Sequence, residues 1–384
     1  MCDLIKLDSW VETYCFEFDV NQMKAEVNNR LNDEKLNIGL DRCKFSVKDV
    51  VVNSMKCNAS IEKGEKAQIV DIATNEGVIK ISKFVCSING IAKNGTDNYK
   101  ITLKLNDNND NFTLDVNIPK LLYNTNERNA SNRVHLAEVN QIIEKKLEEQ
   151  GVYIDMGQAK LSSVEINVNS TDKKLYDAMK IIRKGFNTSD DKVFIVESDN
   201  NIESLKVKKG KQGNKPYAEI KVYNKIQQLK DTNQLYENEN LVRIEVSTRN
   251  NKAIDVLTNN NPTMEGIIEN WEGMERWFKD TLTKHIKKPC EDFNKMVVDA
   301  MVRELKEGHK TYDILTLQAE QGNLVDMELF SRAMKRYYKE TGKKSPTTVI
   351  KNTKNRYGKL NRCRYDAMIG NIDALERLWN EIGL

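Results

Sequence analysis

The chain has 384 residues, 39% hydrophobic and 30% charged, with a formal net charge of +3. That length buries one large core or two ordinary ones, and no apolar run approaches the ~18 residues of a membrane span. Seven cysteines form no CxxC pair, and the three histidines, His135, His285 and His309, lie far apart. These features exclude a disulfide scaffold and a metal centre of closely spaced His and Cys ligands.

The start, MCDLIKLDSW, lacks the basic and apolar segments of a secretory signal, so the expected compartment is the cytoplasm, with no membrane partner. From about 10 to 120 the chain reads mostly as strands. The segments TYCFEFDV, KFSVKDVVV, GVIKISKFVCSI, YKITLKL and FTLDVNI are separated by Asn-, Asp- and Gly-rich turns. An amphipathic helix is predicted over 133–150, ended by Gly151. The segment LSSVEINVN alternates as a strand, with Val164, Ile166 and Val168 on one side and Ser163, Glu165, Asn167 and Asn169 on the other. A helix over 172–184 and the strand KVFIVES follow.

The most informative stretch is YAEIKVYNKIQQL, a short polar connection, then LVRIEVSTRN. Both runs carry the period-two signature of half-buried strands. Ala218, Ile220 and Val222 face one way; Glu219, Lys221, Tyr223 and Lys225 face the other. In the second run Val242, Ile244 and Val246 are apolar, and Arg243, Glu245, Ser247 and Arg249 oppose them. Beyond about residue 250 helical patterns take over, at 258–282, 291–307, 326–339 and in the C-terminal IDALERLWNEI. The expected architecture is α+β: an antiparallel sheet backed by helices, with a helical C-terminal region. Its parts would be a β-rich segment 1–120, an α+β core 121–260 and a basic helical region 261–384.

Three strands thus carry polar faces, and consecutive strands usually neighbour one another. If they do so here, Glu165, Glu245 and the amide of Asn167 make an oxygen site for Mg²⁺ or Mn²⁺. Tyr223 becomes a candidate nucleophile, its phenolate stabilised by Lys225, Lys221 or the metal. The plain alternative is a tyrosine that packs across strands and a glutamate that pairs with a surface cation.

Basic runs supply the other signal. Between Arg332 and Arg364 twelve Lys or Arg residues face one acid, Glu340, with tyrosines interleaved. Candidate DNA contacts there are Arg332, Lys335, Arg336, Lys343, Lys344, Lys351, Lys354 and Arg356. Further candidates are Lys208, Lys209 and Lys211 in KVKKGKQGNK, together with Arg243 and Arg249. A solvated helix face and an exposed hairpin are the alternatives.

The order VEINVN, helix, IKVYNK, LVRIEV resembles the replication initiators of filamentous phages and the related trans-acting initiators of small rolling-circle plasmids. The match covers about residues 161–249. Such a resemblance implies a metal-dependent endonuclease and strand transferase: Tyr223 as nicking nucleophile, Lys225 as its cationic partner, Glu165 and Glu245 as metal ligands. It also implies an origin duplex and a single strand as DNA partners, with a host helicase and polymerase acting downstream; a homodimer is compatible with it. Ser163 stands where relatives often have arginine, and Asn169 where the plasmid branch often has a second acid. The paired-histidine motif of other rolling-circle initiators is absent. A conjugative relaxase, with the same chemistry, and a non-catalytic DNA-binding regulator remain as alternatives.

Overall fold

Alternating apolar and polar residues here build one wide sheet and a smaller companion. The computed structural model describes residues 37–62, 70–89, 99–106, 111–172, 175, 192–197, 203–208, 217–232, 236, 239–311, 327–360 and 372–384. The expected strand TYCFEFDV, the helix over 172–184, and Lys209 and Lys211 lie outside them. So do the side chains of Lys208, Lys354 and Arg356.

The strands are β1 (Gly39–Val47), β2 (Val50–Val52), β3 (Ser60–Glu62), β4 (Val70–Thr74), β5 (Gly77–Ile81), β6 (Lys83–Asn89), β7 (Tyr99–Leu105), β8 (Phe112–Asn117), β9 (Val152–Ile154), β10 (Lys160–Ser170), β11 (Lys192–Glu197), β12 (Glu203–Lys208), β13 (Glu219–Asn224) and β14 (Val242–Thr248). Ten of them form a sheet in the order β11-β12-β13-β14-β10-β1-β8-β7-β6-β3, antiparallel throughout. The other four form a sheet in the order β5-β4-β2-β9. The protein is a mixed α+β structure, with helices around a large antiparallel sheet and a helical C-terminal region. Among the described residues no helix is long and apolar enough to cross a membrane.

The three polar-faced strands are direct neighbours: β13 pairs β14, and β14 pairs β10. Their apolar sides, including Ile220, Val222, Ile244, Val246, Val164 and Ile166, join a core that also takes in Ala253, Ile254, Met274, Phe278, Leu282 and Ile286. That core runs across residue 260 and reaches the C-terminal helix Ile372–Glu381 through Leu378 and Trp379. A second cluster joins helices Lys288–Lys306, Met327–Glu340 and Thr347–Leu360 through Met301, Leu305, Phe330, Met334 and Ile350.

Local chemistry sets the element ends. The helix expected over 133–150 breaks at Glu138 into Arg133–Ala137 and Val139–Glu148. The helix expected from 258 starts only at Met264, because Asn259 and Asn260 take positive φ (49° and 64°) and Pro262 follows. Asn224 ends β13 and caps the next helix, Lys225–Asp231, by accepting the Gln227 amide N–H at 3.0 Å. The Tyr-Asn-Lys sequence is thus a strand end, a cap and a first helical residue.

At the start of β1, a Cβ on Gly39 would lie 2.9 Å from the backbone of Ala130, whose carbonyl accepts the Leu40 N–H at 2.9 Å. Gly39→Ala should therefore destabilise the fold by about 1–3 kcal/mol. The expected reading is a lower urea midpoint with an unchanged m value; an unchanged midpoint refutes the close approach.

Candidate active site

Cross-strand register lays out the polar face in rows. Asn167 faces Glu245, which faces Lys221; Asn169 faces Arg243, which faces Tyr223; Glu165 faces Ser247, which faces Glu219. Diagonal neighbours on such a face are within reach of an aromatic side chain. The Tyr223 hydroxyl donates to Glu245 Oε1 across this diagonal. Lys221 Nζ stands 3.8 Å from Glu245 Oε2 and 3.9 Å from Glu165 Oε1. Tyr223 and Lys221 of β13, Glu165 of β10 and Glu245 of β14 are brought together.

A fifth member was not foreseen. The β1–β10 register slips between Leu40 and Arg42, leaving Asp41 as an extra residue in a bulge. Bulges redirect side chains, and this one sends Asp41 onto the polar face. Carboxylate oxygens of Asp41, Glu165 and Glu245 lie within 4.8 Å of one another. Asp41 Oδ1 is buried without a hydrogen-bond donor among the described residues. Three converging carboxylates and one orphaned oxygen fit a hard divalent cation such as Mg²⁺ or Mn²⁺. The only sequence signal for Asp41 is an acid in the otherwise apolar-alternating start of β1, GLDRC, which periodicity alone treats as surface.

Arg243 departs most from expectation. Anticipated as a DNA contact, it is fully buried. Its Nε donates to Asn169 Oδ1 at 2.8 Å. Nη1 donates to Asp41 Oδ2 and Asn126 Oδ1, both at 3.3 Å, and Nη2 to the carbonyls of Asn126 (2.8 Å) and Glu127 (3.1 Å). These bonds occupy the five donors of a guanidinium, so no donor is left for a phosphate. Asn169, which stands where relatives often carry an acid, is an Arg243 acceptor.

Lys225 is also fully buried. Its Nζ lies 5.6 Å from the Tyr223 ring centroid and donates to Gln228 Oε1 at 2.8 Å. Asn167 has no exposure, and neither of its amide atoms has a partner among the described residues.

Burial governs the electrostatics. It pushes Glu245 up to about 7, helped by Asp41 and opposed by Lys225. Lys225 is pulled down to about 7 by burial and then by Arg243. Burial raises Tyr223 well above its ordinary value, and the neighbouring Glu245 charge adds to this. Asp41 moves the other way: burial acts to raise it, but Arg243 and Lys225 together hold it down. Tyr223 is only 6% exposed. The site reaches solvent through Glu165 and Lys221, whose side chains are 18% and 25% exposed.

The basic run is less free than its sequence suggests. Arg332 pairs with Glu376 at 2.6 Å and Glu328 at 3.6 Å; Arg336 pairs with Asp299, and with Glu340 at 2.8 Å. Lys343 lies over the Tyr337 ring and donates to its hydroxyl at 2.7 Å. Tyr337 and Tyr338 pack edge-to-face on each other and against the second apolar cluster. Arg249, Lys335, Lys344 and Lys351 remain exposed. A second acidic group, Glu304, Glu307 and His309, gathers at the C-terminal end of the helix Lys288–Lys306.

No family model and no curated protein matches the chain. A solved structure of a rolling circle replication initiator protein from Geobacillus stearothermophilus aligns over 65% of this chain and 85% of its own, at 10% identity and a TM-score of 0.31. Similarity at that level assigns neither a family nor an activity.

Two outcomes follow. Arg243→Met should cost about 3–5 kcal/mol, because it strands the Asp41 carboxylate; equal urea midpoints for variant and wild type refute the clamp. The second concerns pH. A carboxyl raised from 4.5 to about 7 keeps its proton in the folded protein where the unfolded chain has released it. Its contribution to stability is complete below pH 4.5 and lost as pH rises through about 7, at most about 1.4 kcal/mol per pH unit. Lys225 acts in the opposite sense above that window. Between pH 5 and 7, Glu245→Gln should therefore lose less stability than wild type, read from paired urea titrations; parallel pH profiles refute the shift.

Proposed function

We propose that this protein nicks one DNA strand at a replication origin and later rejoins it, as an initiator of rolling-circle replication. The observation that carries the reading is the meeting of a phenol, three carboxylates and a lysine on one sheet face, with the Tyr223 hydroxyl already donating to Glu245.

In this reading the phenolic proton passes to Glu245, whose ionisation near neutrality suits a general base. Tyr223 Oη forms a bond to phosphorus, the P–O3′ bond breaks, and the 3′ oxygen takes a proton from solvent. The phosphotyrosine ester conserves the energy of the broken bond. A 3′-hydroxyl can therefore reverse the step, which closes the displaced strand without ATP. Asp41, Glu165 and Glu245 would hold the Mg²⁺ or Mn²⁺; Glu245 would use Oε2 and keep Oε1 for the phenol. The ion, when bound, neutralises charge at a phosphoryl oxygen. Lys221, at the open side of the site, would meet the phosphate as the strand enters. Lys225 acts behind the ring, setting the charge around the phenol. Arg249, Lys335, Lys344 and Lys351 would contribute backbone contacts to the origin duplex, with steep salt dependence.

One observation favours the rival reading of a non-catalytic DNA-binding regulator: the buried Tyr223 side chain. Under the nicking reading the phenol must turn toward the Lys221 and Glu165 opening before it meets a phosphate.

The test incubates the full chain with supercoiled DNA of its own replicon and Mg²⁺ or Mn²⁺. Wild type should give nicked circles and a covalent adduct that maps to Tyr223. Tyr223→Phe should lose both while keeping duplex affinity. Nicking by the Phe variant at the wild-type rate, or no nicking by wild type with either ion, sinks the proposal.

A further inference from the structure

Away from the polar face, an open groove of about 800 Å³ lies between the residue that leads into β13 and the helix Trp271–Leu282. The chemistry above does not use it. Tyr217, 37% exposed, lines one side. Its ring centroid is 6.2 Å from that of Trp277, and the indole Nε1 donates to the Tyr217 hydroxyl at 3.2 Å, so the phenol ring is held in place.

Arg276 and Lys284 also line the groove, and both are exposed. Neither has an ion-pair partner among the described residues, whereas Arg133, Arg332, Arg336 and Arg377 all do. Asp280 is the one acid in the lining. Lys284 belongs to the π-helical turn Thr283–Lys287, and π turns inside α-helices recur at functional sites.

We propose that this groove binds single-stranded DNA, stacking a base on Tyr217 and taking the flanking phosphates on Arg276 and Lys284. The proposal rests on the nicking reading for its biological role. A fixed, partly exposed aromatic ring beside unpaired cations is how sequence-tolerant single-strand sites are built, and stacking requires a base that has left its duplex. Position agrees with charge. Tyr217 leads directly into β13, the strand that carries Tyr223 on the polar face.

The experiment measures binding of the full chain to a labelled oligothymidylate by fluorescence anisotropy across a salt series. Arg276→Glu with Lys284→Glu, both at exposed positions, should weaken binding and flatten the slope of log K against log salt by roughly 1.4, two phosphate contacts at about 0.7 each. Tyr217→Ala should weaken binding by roughly tenfold or more. Tyr217→Phe, which keeps the ring, should restore it. Wild-type affinity and slope in the double variant together with wild-type affinity in Tyr217→Ala, failure of wild type to bind, or equal competition by unlabelled duplex each overturns the proposal. A protein that binds in the predicted pattern but does not nick DNA sinks the nicking reading and leaves the groove standing.

Discussion

A guanidinium with no solvent exposure organises the polar face. Arg243 sits mid-sheet on β14 and bonds to an asparagine on β10, the bulge carboxylate on β1 and two carbonyls of the 126–127 segment. A charge so far from water is tolerable only when every donor is used, and every donor is. The Asp41 pair alone is a poor argument for stability, because desolvation of two ions can cancel their attraction. Specificity is the stronger consequence. Other positions of the bulge, or of the 126–127 segment, would leave N–H groups unpaired in the interior. Arg243 thereby fixes where Asp41 points, and Asp41 completes the carboxylate group.

The same cluster explains why the phenol and its neighbours have displaced ionisation. Three acids and the cations of Arg243, Lys225 and Lys221 share a space with little water. Glu245 cannot be ionised as cheaply as in solution while Asp41 is, so a proton stays with it to about 7. While Glu245 holds that proton the two carboxyls can share it; once it is released, Asp41 Oδ1 is left without a donor. A divalent cation would relieve that repulsion, and Lys221 performs part of the task from 3.8–3.9 Å. The arrangement is therefore poised between a proton and a lysine as alternative counter-charges, a place a metal would take under the proposed reading.

Much of this was legible from alternation. The period-two runs around Glu165, Tyr223 and Glu245 named the strands, their polar sides and the partners that do meet. Asp41 was not legible, because a bulge breaks the periodicity on which the reading depends. Arg243 was misread for a related reason. Period two assigns it correctly to the polar face but does not reveal that the 126–127 segment covers that part of the face. The burial of Tyr223 escapes for the same cause: a face opposite the core is not always a face in water.

The C-terminal run shows a different limit. A window of sequence counts charges along the chain, whereas a surface sums them in space. Asp299, Glu328 and Glu376 come from outside the run between Arg332 and Arg364, yet they pair with Arg332 and Arg336. Lys343 spends its charge on the Tyr337 ring and hydroxyl, and those tyrosines close the second apolar cluster. Among the described residues of the run, the other exposed cations without an acidic partner are Lys335, Lys339, Lys344 and Lys351, on the helix Met327–Glu340, the turn after it and the helix Thr347–Leu360. Cations left without acids are the ones whose field reaches solvent, and the same criterion selects Arg276 and Lys284 beside Tyr217. Unpaired charge, more than total charge, is therefore the better guide to where this protein would meet a polyanion.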